Sequence, residues 1–207
     1  ELILTFELLK KCNLAVIEQT RNYLSYAEMQ EDALCCVRCD LSKTRKNVVL
    51  CDGTPSARVM VVGEAPGATE DEQGKPFVGR SGQLLIKLFG EIGIERDDLY
   101  IANVLKCRPP ENRDPSRLEI AQCGAFLEAQ IKFVSPKVIV PVGNFATKYV
   151  LGTKEGITKI RGKRFELGNS IVIPTVHPAF VLRNGKKAQI EMLRDLQNVR
   201  QVIDGKT

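Results

Sequence analysis

The sequence predicts an α/β fold: a three-layer α/β/α sandwich around a central four-stranded parallel sheet, with an N-terminal helical extension. Three observations carry this expectation. Four short apolar, β-rich runs lack polar alternation, as strands buried on both faces do. Helical apolar spacing fills the intervals between them, which implies βαβ units. The residues just past each run are glycine, asparagine or histidine, types that suit a site at the carboxyl edge of an open sheet.

The strands are read at Arg58-Val-Met-Val-Val62, Leu99-Tyr-Ile-Ala-Asn103, Val138-Ile-Val-Pro-Val142 and Ile171-Val-Ile-Pro-Thr175. Leu84, Leu85, Leu88 and Phe89 mark a helix that ends near Gly90. Ser116 to Phe133 is a second helix, entered through Pro115-Ser116. Phe145 to Leu151 is a short third one, and Ile190 to Ile203 a fourth. Leu9, Leu14, Ile17, Tyr23 and Leu24 place a helical extension over residues 1–30, peripheral to a main domain over 31–207.

A chain of 207 residues, 43% hydrophobic and 27% charged, can bury a full core and is neither disordered nor fibrous. No apolar run approaches the roughly 20 residues of a membrane span. Leu2–Phe6 is short and flanked by Glu1, Glu7, Lys10 and Lys11, so it does not read as a secretory signal. A cytoplasmic place is expected. The net charge of +5 is compatible with a polyanionic partner without demanding one.

Seven cysteines and one histidine are the unusual counts. The odd cysteine total speaks against a disulfide framework, and a lone histidine excludes His-pair zinc sites. Cys36-Val-Arg-Cys39 is a CxxC pair, and Cys107 and Cys123 are separated by fifteen residues. Folding could bring these four thiolates around one metal centre, zinc or iron–sulfur, because both use the same donor set. Cys12, Cys35 and Cys51 are left over. The four strand ends carry Gly63-Glu-Ala-Pro-Gly67, Asn103, Gly143-Asn144 and His177-Pro-Ala179. The only histidine therefore stands where a site is expected.

Several motifs in order resemble the family 4 uracil-DNA glycosylases. The first block is Gly63-Glu-Ala-Pro-Gly67, Glu70-Asp71 and Gly74-Lys-Pro-Phe-Val-Gly-Arg-Ser-Gly82; the second is Tyr100-Ile-Ala-Asn-Val-Leu-Lys-Cys-Arg-Pro-Pro110 with Asn112-Arg113 and Pro115. The last is His177-Pro-Ala179 with Leu182-Arg183-Asn184, and the cysteine pattern completes the likeness from about Cys36 to Asp195. The resemblance implies a 4Fe–4S cluster on Cys36, Cys39, Cys107 and Cys123. It implies a DNA repair enzyme that flips uracil out, hydrolyses its N-glycosidic bond and leaves an abasic site. The partner would be uracil-containing DNA, single- or double-stranded, bound by a monomer in a prokaryotic-type, nucleoid-associated role.

Base extrusion demands a stacking face, an edge reader and a group that stabilises the departing anion. Phe77 can supply the face. Asn103 can pair with uracil O4 and N3–H, a bidentate contact worth about 1–3 kcal/mol of discrimination. His177 can donate to O2 as charge builds on the leaving base. The resemblance adds Glu64, Ala65 and Pro66 to the uracil-binding set and implies that Glu70 excludes thymine. Ala65 stands where better-known glycosylases carry an aspartate or asparagine that handles the water. The resemblance points instead to Glu64, Glu70 or Asn112 for positioning the water and stabilising the cation, which makes them catalytic candidates with His177. Lys159, Arg161, Lys163 and Arg164 form one basic group for phosphates, and Arg183 lies in a second. Phe180 and Leu182 can fill the vacated stack. Two other readings stand beside this one. One is a non-catalytic DNA-binding module built on a metal. The other is a relative with different base specificity or covalent capture of DNA; Ser81-Gly-Gln-Leu-Leu85 lacks the basic, histidine-bearing insertion that capture uses.

Overall fold

Strand β1 (Val59–Gly63) is buried at every position. That burial follows from its place inside the sheet, between β2 (Leu99–Asn103) and β3 (Val138–Pro141). The computed structural model describes residues 22–206. Val59 pairs with Leu99 and Gly63 with Asn103, so β1 and β2 end level; Val59 also pairs with Val138 on the other side. The third parallel neighbour is β5 (Ser170–Val172), with Val138 opposite Ile171.

The sheet has five strands, in the order β2-β1-β3-β5-β4. The expected four are present, and β4 (Phe165–Leu167) adds an antiparallel edge opposite β5. Three residues whose side chains stay partly or fully exposed give no apolar run, which is why the sequence hides this strand. The fourth expected run loses regular pairing after Val172, where Pro174 has no N–H to donate. The ladder nevertheless continues: Ile173 donates to Ile139 O at 2.9 Å and Thr175 to Pro141 O at 3.0 Å.

Alternate residues feed opposite faces. Val59, Val61, Leu99, Ile101, Val138 and Val140 pack on one side with α3 (Arg80–Glu91), α7 (Pro178–Asn184) and α8 (Lys186–Ile203), through Leu88, Phe89, Val181, Met192 and Leu196. Met60, Val62, Tyr100, Ala102 and Ile139 face α4 (Arg117–Val134) and α5 (Asn144–Leu151). The three layers are thus as expected. Ser116 starts α4 through a capping box, its hydroxyl accepting Glu119 N–H while the Glu119 carboxylate accepts Ser116 N–H. Short helices α2 (Ala68–Gln73) and α6 (Ile157–Ile160) follow β1 and α5.

A third cluster lies beyond the β2 edge. Helix α1 (Tyr26–Leu34), capped by Ser25, packs Met29 and Ala33 with Leu41, Leu50, Leu105, Phe126, Cys107 and Cys123. The helix runs unbroken through residue 30. Residues 1–21 of the expected extension lie outside the described residues.

Candidate active site

The carboxyl ends of β2, β1, β3 and β5 present Asn103, Gly63-Glu64, Gly143 and His177 in that spatial order. Gly63 is the hub. A Cβ built on it would lie 2.2 Å from Asn103 Oδ1 and 2.7 Å from Phe77 Cζ. Only a glycine lets the amide and the ring approach the end of β1 together. Phe77 and Asn103 stand far apart in the chain, and both reach the end of β1 at this glycine.

Phe77 has φ 53, a left-handed conformation unusual for an aromatic residue. Its turn is clamped from three sides. Glu70 Oε1 accepts the N–H of Val78 at 3.1 Å and of Gly79 at 2.8 Å. The Arg96 guanidinium donates to Pro76 O at 2.8 Å and Phe77 O at 3.1 Å, and is itself held on Asp52 at 2.7 Å. At Gly82 a Cβ would strike the Phe77 backbone at 2.3 Å, so α3 can approach only as glycine. Arg96 and Asp52 lay outside the sequence-derived site, since nothing local ties either to residue 77.

His177 caps α7, its Nδ1 accepting the Ala179 N–H at 3.2 Å. Nδ1 is therefore unprotonated and the ring proton resides on Nε2, free to donate. Burial pulls the imidazole below its ordinary range, and the Arg183 charge adds to this. The ring lies over Gly143, whose φ of 91 and missing Cβ accommodate it; a Cβ there would sit 3.1 Å from His177 Cβ. Behind it, Thr175 Oγ1 donates to buried Asp195 at 2.8 Å.

The three water-handling candidates differ sharply in how they are held. Glu70 is committed to the Phe77 turn. Asn112, exposed and at φ 55, has its Oδ1 taken by Arg108 Nε at 2.8 Å. The Glu64 carboxylate accepts no hydrogen bond among the described residues; it is half-buried, and burial with the nearby Asp114 charge raises its pKa. Ala65 packs against the cysteine-bearing cluster and Pro66 is buried.

Cys36, Cys39, Cys107 and Cys123 line a single cavity with Arg45 and Phe126. Arg45 Nη1 donates to Cys107 Sγ at 3.3 Å, and the Lys106 N–H to Cys123 Sγ at 3.2 Å. Burial pushes the Cys39 and Cys107 thiols up and that of Cys123 to about 12. No three Cys, His, Asp or Glu side chains among the described residues form a single-ion site. Asp71 fastens this lobe to α2, its carboxylate accepting the N–H groups of Lys46 and Asn47 at 3.0 and 3.2 Å. Four sulfurs thus surround one cavity. Several cysteines gathered in this way are consistent with an iron–sulfur cluster.

The basic residues separate. Arg161 turns inward, pairing with Asp195 at 3.0 Å and Glu191 at 3.6 Å. Lys159 pairs with Glu155 at 3.2 Å, and Arg164 donates to Gln201 at 3.0 Å; Lys163 is exposed. Phe180, Leu182 and Arg183 are exposed on α7, within two turns of His177. The longest helices are amphipathic or charged, and no helix among the described residues is long and apolar enough to cross a membrane.

A family model described as the uracil DNA glycosylase superfamily matches residues 51–197. A type-4 uracil-DNA glycosylase of Thermotoga maritima is 46% identical over 171 residues, which covers 81% of this chain and 89% of that protein. A type-4 uracil-DNA glycosylase of Sulfurisphaera tokodaii is 42% identical over 187 residues, covering 86% of this chain and 84% of its own. A type-5 uracil-DNA glycosylase of Pyrobaculum aerophilum is 32% identical over 162 residues, 70% of this chain and 71% of that one.

Proposed function

The chain belongs to the type-4 uracil-DNA glycosylases of the uracil-DNA glycosylase superfamily, and on that premise we infer which of its residues carry the reaction. It acts in DNA repair on uracil-containing DNA and hydrolyses the N-glycosidic bond of uracil. One observation supports the assignment of roles above the others. The Phe77 ring and the Asn103 amide meet at Gly63, giving a flipped base a face to stack on and an edge reader at one point.

Uracil enters with its ring on Phe77. Asn103 donates its amide N–H to O4 and accepts N3–H; cytosine, with a donor at C4 and an acceptor at N3, opposes a fixed amide at both atoms. As the glycosidic bond lengthens, negative charge grows on the base and positive charge on the sugar. The neutral His177 donates from Nε2 to O2 and meets the negative charge without any proton transfer. Glu64 orients water toward C1′ and stabilises the sugar cation, because its carboxylate is uncommitted while the Glu70 carboxylate and the Asn112 carboxamide are held elsewhere. A carboxylate whose pKa is raised is the better acceptor for the water proton. We infer that Glu70 acts at one remove, by holding the Phe77 turn, rather than directly against thymine or on the water.

Cys36, Cys39, Cys107 and Cys123 fit a 4Fe–4S cluster: a cavity walled by four sulfurs suits a polynuclear group better than one ion. When bound, such a cluster would be held by these four cysteines and would tie the 36–39 segment to the strand β2 exit and α4. Phe180 and Leu182 fill the gap left in the stack, and Arg183 with Lys163 holds phosphates. The fold contributes Arg161 to its own packing instead.

A single-turnover assay on a uracil-containing oligonucleotide tests the reading. Free uracil and an abasic strand are expected; a protein that binds this DNA and releases no uracil overturns it. Iron content and broad visible absorption test the cluster, which zinc and a colourless protein would refute.

A further inference from the structure

Lys106 is 1% exposed, and its side chain is one of the largest fully buried in the chain. Its ammonium donates to the main-chain carbonyl of Asn103 at 2.6 Å and to Gln130 Oε1 at 2.6 Å. Gln130 is anchored in turn, its amide donating to Leu50 O at 3.2 Å. The backbone of Lys106 reaches the other way. Its N–H meets Cys123 Sγ at 3.2 Å and its carbonyl accepts Val49 N–H at 2.8 Å. Among the described residues no carboxylate bonds to the ammonium; both of its partners are neutral oxygens, a carbonyl and a carboxamide.

Burying a cation without a carboxylate partner is costly, and a sequence that needed only to fill this space would use a methionine or leucine. What the ammonium does that an apolar chain cannot is hold the Asn103 carbonyl. Asn103 is the last residue of β2, an edge strand in the sheet. Beyond it, Val104 and Leu105 donate to Gly63 O and Glu64 O at 2.9 Å each, which ties the chain on its β1 side. The outward carbonyl of Asn103 has Lys106 as its donor. Two tethers on opposite sides fix the peptide from which the reading amide projects.

We propose that Lys106 is a positioning residue for base selection: from the cysteine lobe it locks the Asn103 backbone, and so the angle at which the Asn103 amide meets the base. This rests on Asn103 as the edge reader. A reader free to tilt would still make one hydrogen bond with uracil. It would also begin to accept cytosine, since rejection needs both amide atoms aimed at once.

The experiment uses the cluster-loaded protein and two probes that resist cleavage, oligonucleotides carrying 2′-fluoro-deoxyuridine or 2′-fluoro-deoxycytidine. The readouts are the ratio of their dissociation constants and kcat on a uracil substrate, for Lys106→Met in wild-type and Asn103→Ala backgrounds. Lys106→Met should compress the uracil-over-cytosine ratio about tenfold, the effect of losing one charge-assisted hydrogen bond. It should lower kcat more than it raises KM, and should do neither further in the Asn103→Ala background. Equal losses in both backgrounds, with selectivity retained, overturn the proposal and leave Lys106 as packing. If Asn103→Ala alone keeps full selectivity, the reading of Asn103 falls, and that result is seen without any change at Lys106. Should Lys106→Met fail to fold, Gln130→Met, which removes the ammonium's second anchor, takes its place with the same two outcomes.

Discussion

The Glu70 carboxylate accepts the N–H of Gly79 at 2.8 Å, two residues past Phe77, the ring proposed to stack on the base. The same oxygen takes the N–H of Val78. An acid in the first motif block therefore shapes the pocket wall through the main chain. Conversion of Glu70 to glutamine should preserve most activity, because a carboxamide oxygen can accept the same two N–H groups. Glu70→Ala should lose roughly tenfold to a hundredfold in kcat/KM, in line with hydrogen bonds to a charged acceptor. Equal loss in both variants, measured under single-turnover conditions, would return Glu70 to a chemical role.

Glu64 should behave in the opposite way. Glu64→Gln keeps shape and loses the proton acceptor, so kcat should fall about a hundredfold or more, the scale of general-base catalysis. Asn112→Ala should stay within a few-fold. Burial and Asp114 both raise the Glu64 pKa, so the acidic limb of the rate profile should lie above the ordinary carboxylate range. It should move down in Asp114→Asn, where the like charge is gone.

In the proposed mechanism His177 works as a neutral donor. Its pKa is lowered by burial and by Arg183, so above 6.5 the folded ring is mainly neutral. Rates should therefore show no His177 titration between about pH 7 and 9. Below 6.5 the unfolded chain binds the proton first, and stability drawn from the Ala179 contact should decline as pH falls. Replacing His177 by alanine should cost about a hundredfold or more in kcat, typical for one oxyanion donor. A rate that rises with protonation of this histidine would contradict the neutral mechanism.

Two arginines of the expected DNA face should separate cleanly. Arg183→Ala should weaken DNA binding and reduce the slope of log K against log salt by about 0.9, one phosphate contact. Arg161→Ala should leave that slope unchanged and lower the melting temperature, since Asp195 loses its ion pair at 3.0 Å. Asp195, raised to about 6 by burial, takes up a proton more readily in the fold. That variant's stability should consequently recover as pH falls from 7 toward 5.

The start of the cysteine-bearing helix is sensitive to acid. Glu119 is depressed to about 2 by its hydrogen bonds with Arg113, aided by the Ser116 N–H. A depressed folded pKa gives stability that is full above the unfolded value near 4.5 and lost as pH falls toward 2. Thermal melts of Glu119→Gln should start lower at pH 7 and decline less between pH 4.5 and 2.

The strands, helices and layers were legible because burial on two faces leaves continuous apolar runs, and burial on one leaves helical spacing. Strand β4 was not, since an edge strand of three partly exposed residues has no such run. The cysteine spacing and the solitary histidine marked the two functional lobes because those residue types are chemically rare in this chain. Gly63, Phe77 and Asn103 could be named singly from motifs, but their meeting point could not. What the sequence by itself determined was the set of side chains that can do the chemistry. Tertiary structure decided which of them are free to do it: Glu64 uncommitted, Glu70 and Asn112 bound to neighbours, Arg161 turned inward, Lys106 set against the reader's backbone. A hydrogen bond depends on distance and direction between groups far apart in the chain, such as Arg96 with Phe77 or Gln130 with Leu50. Local pattern contains neither.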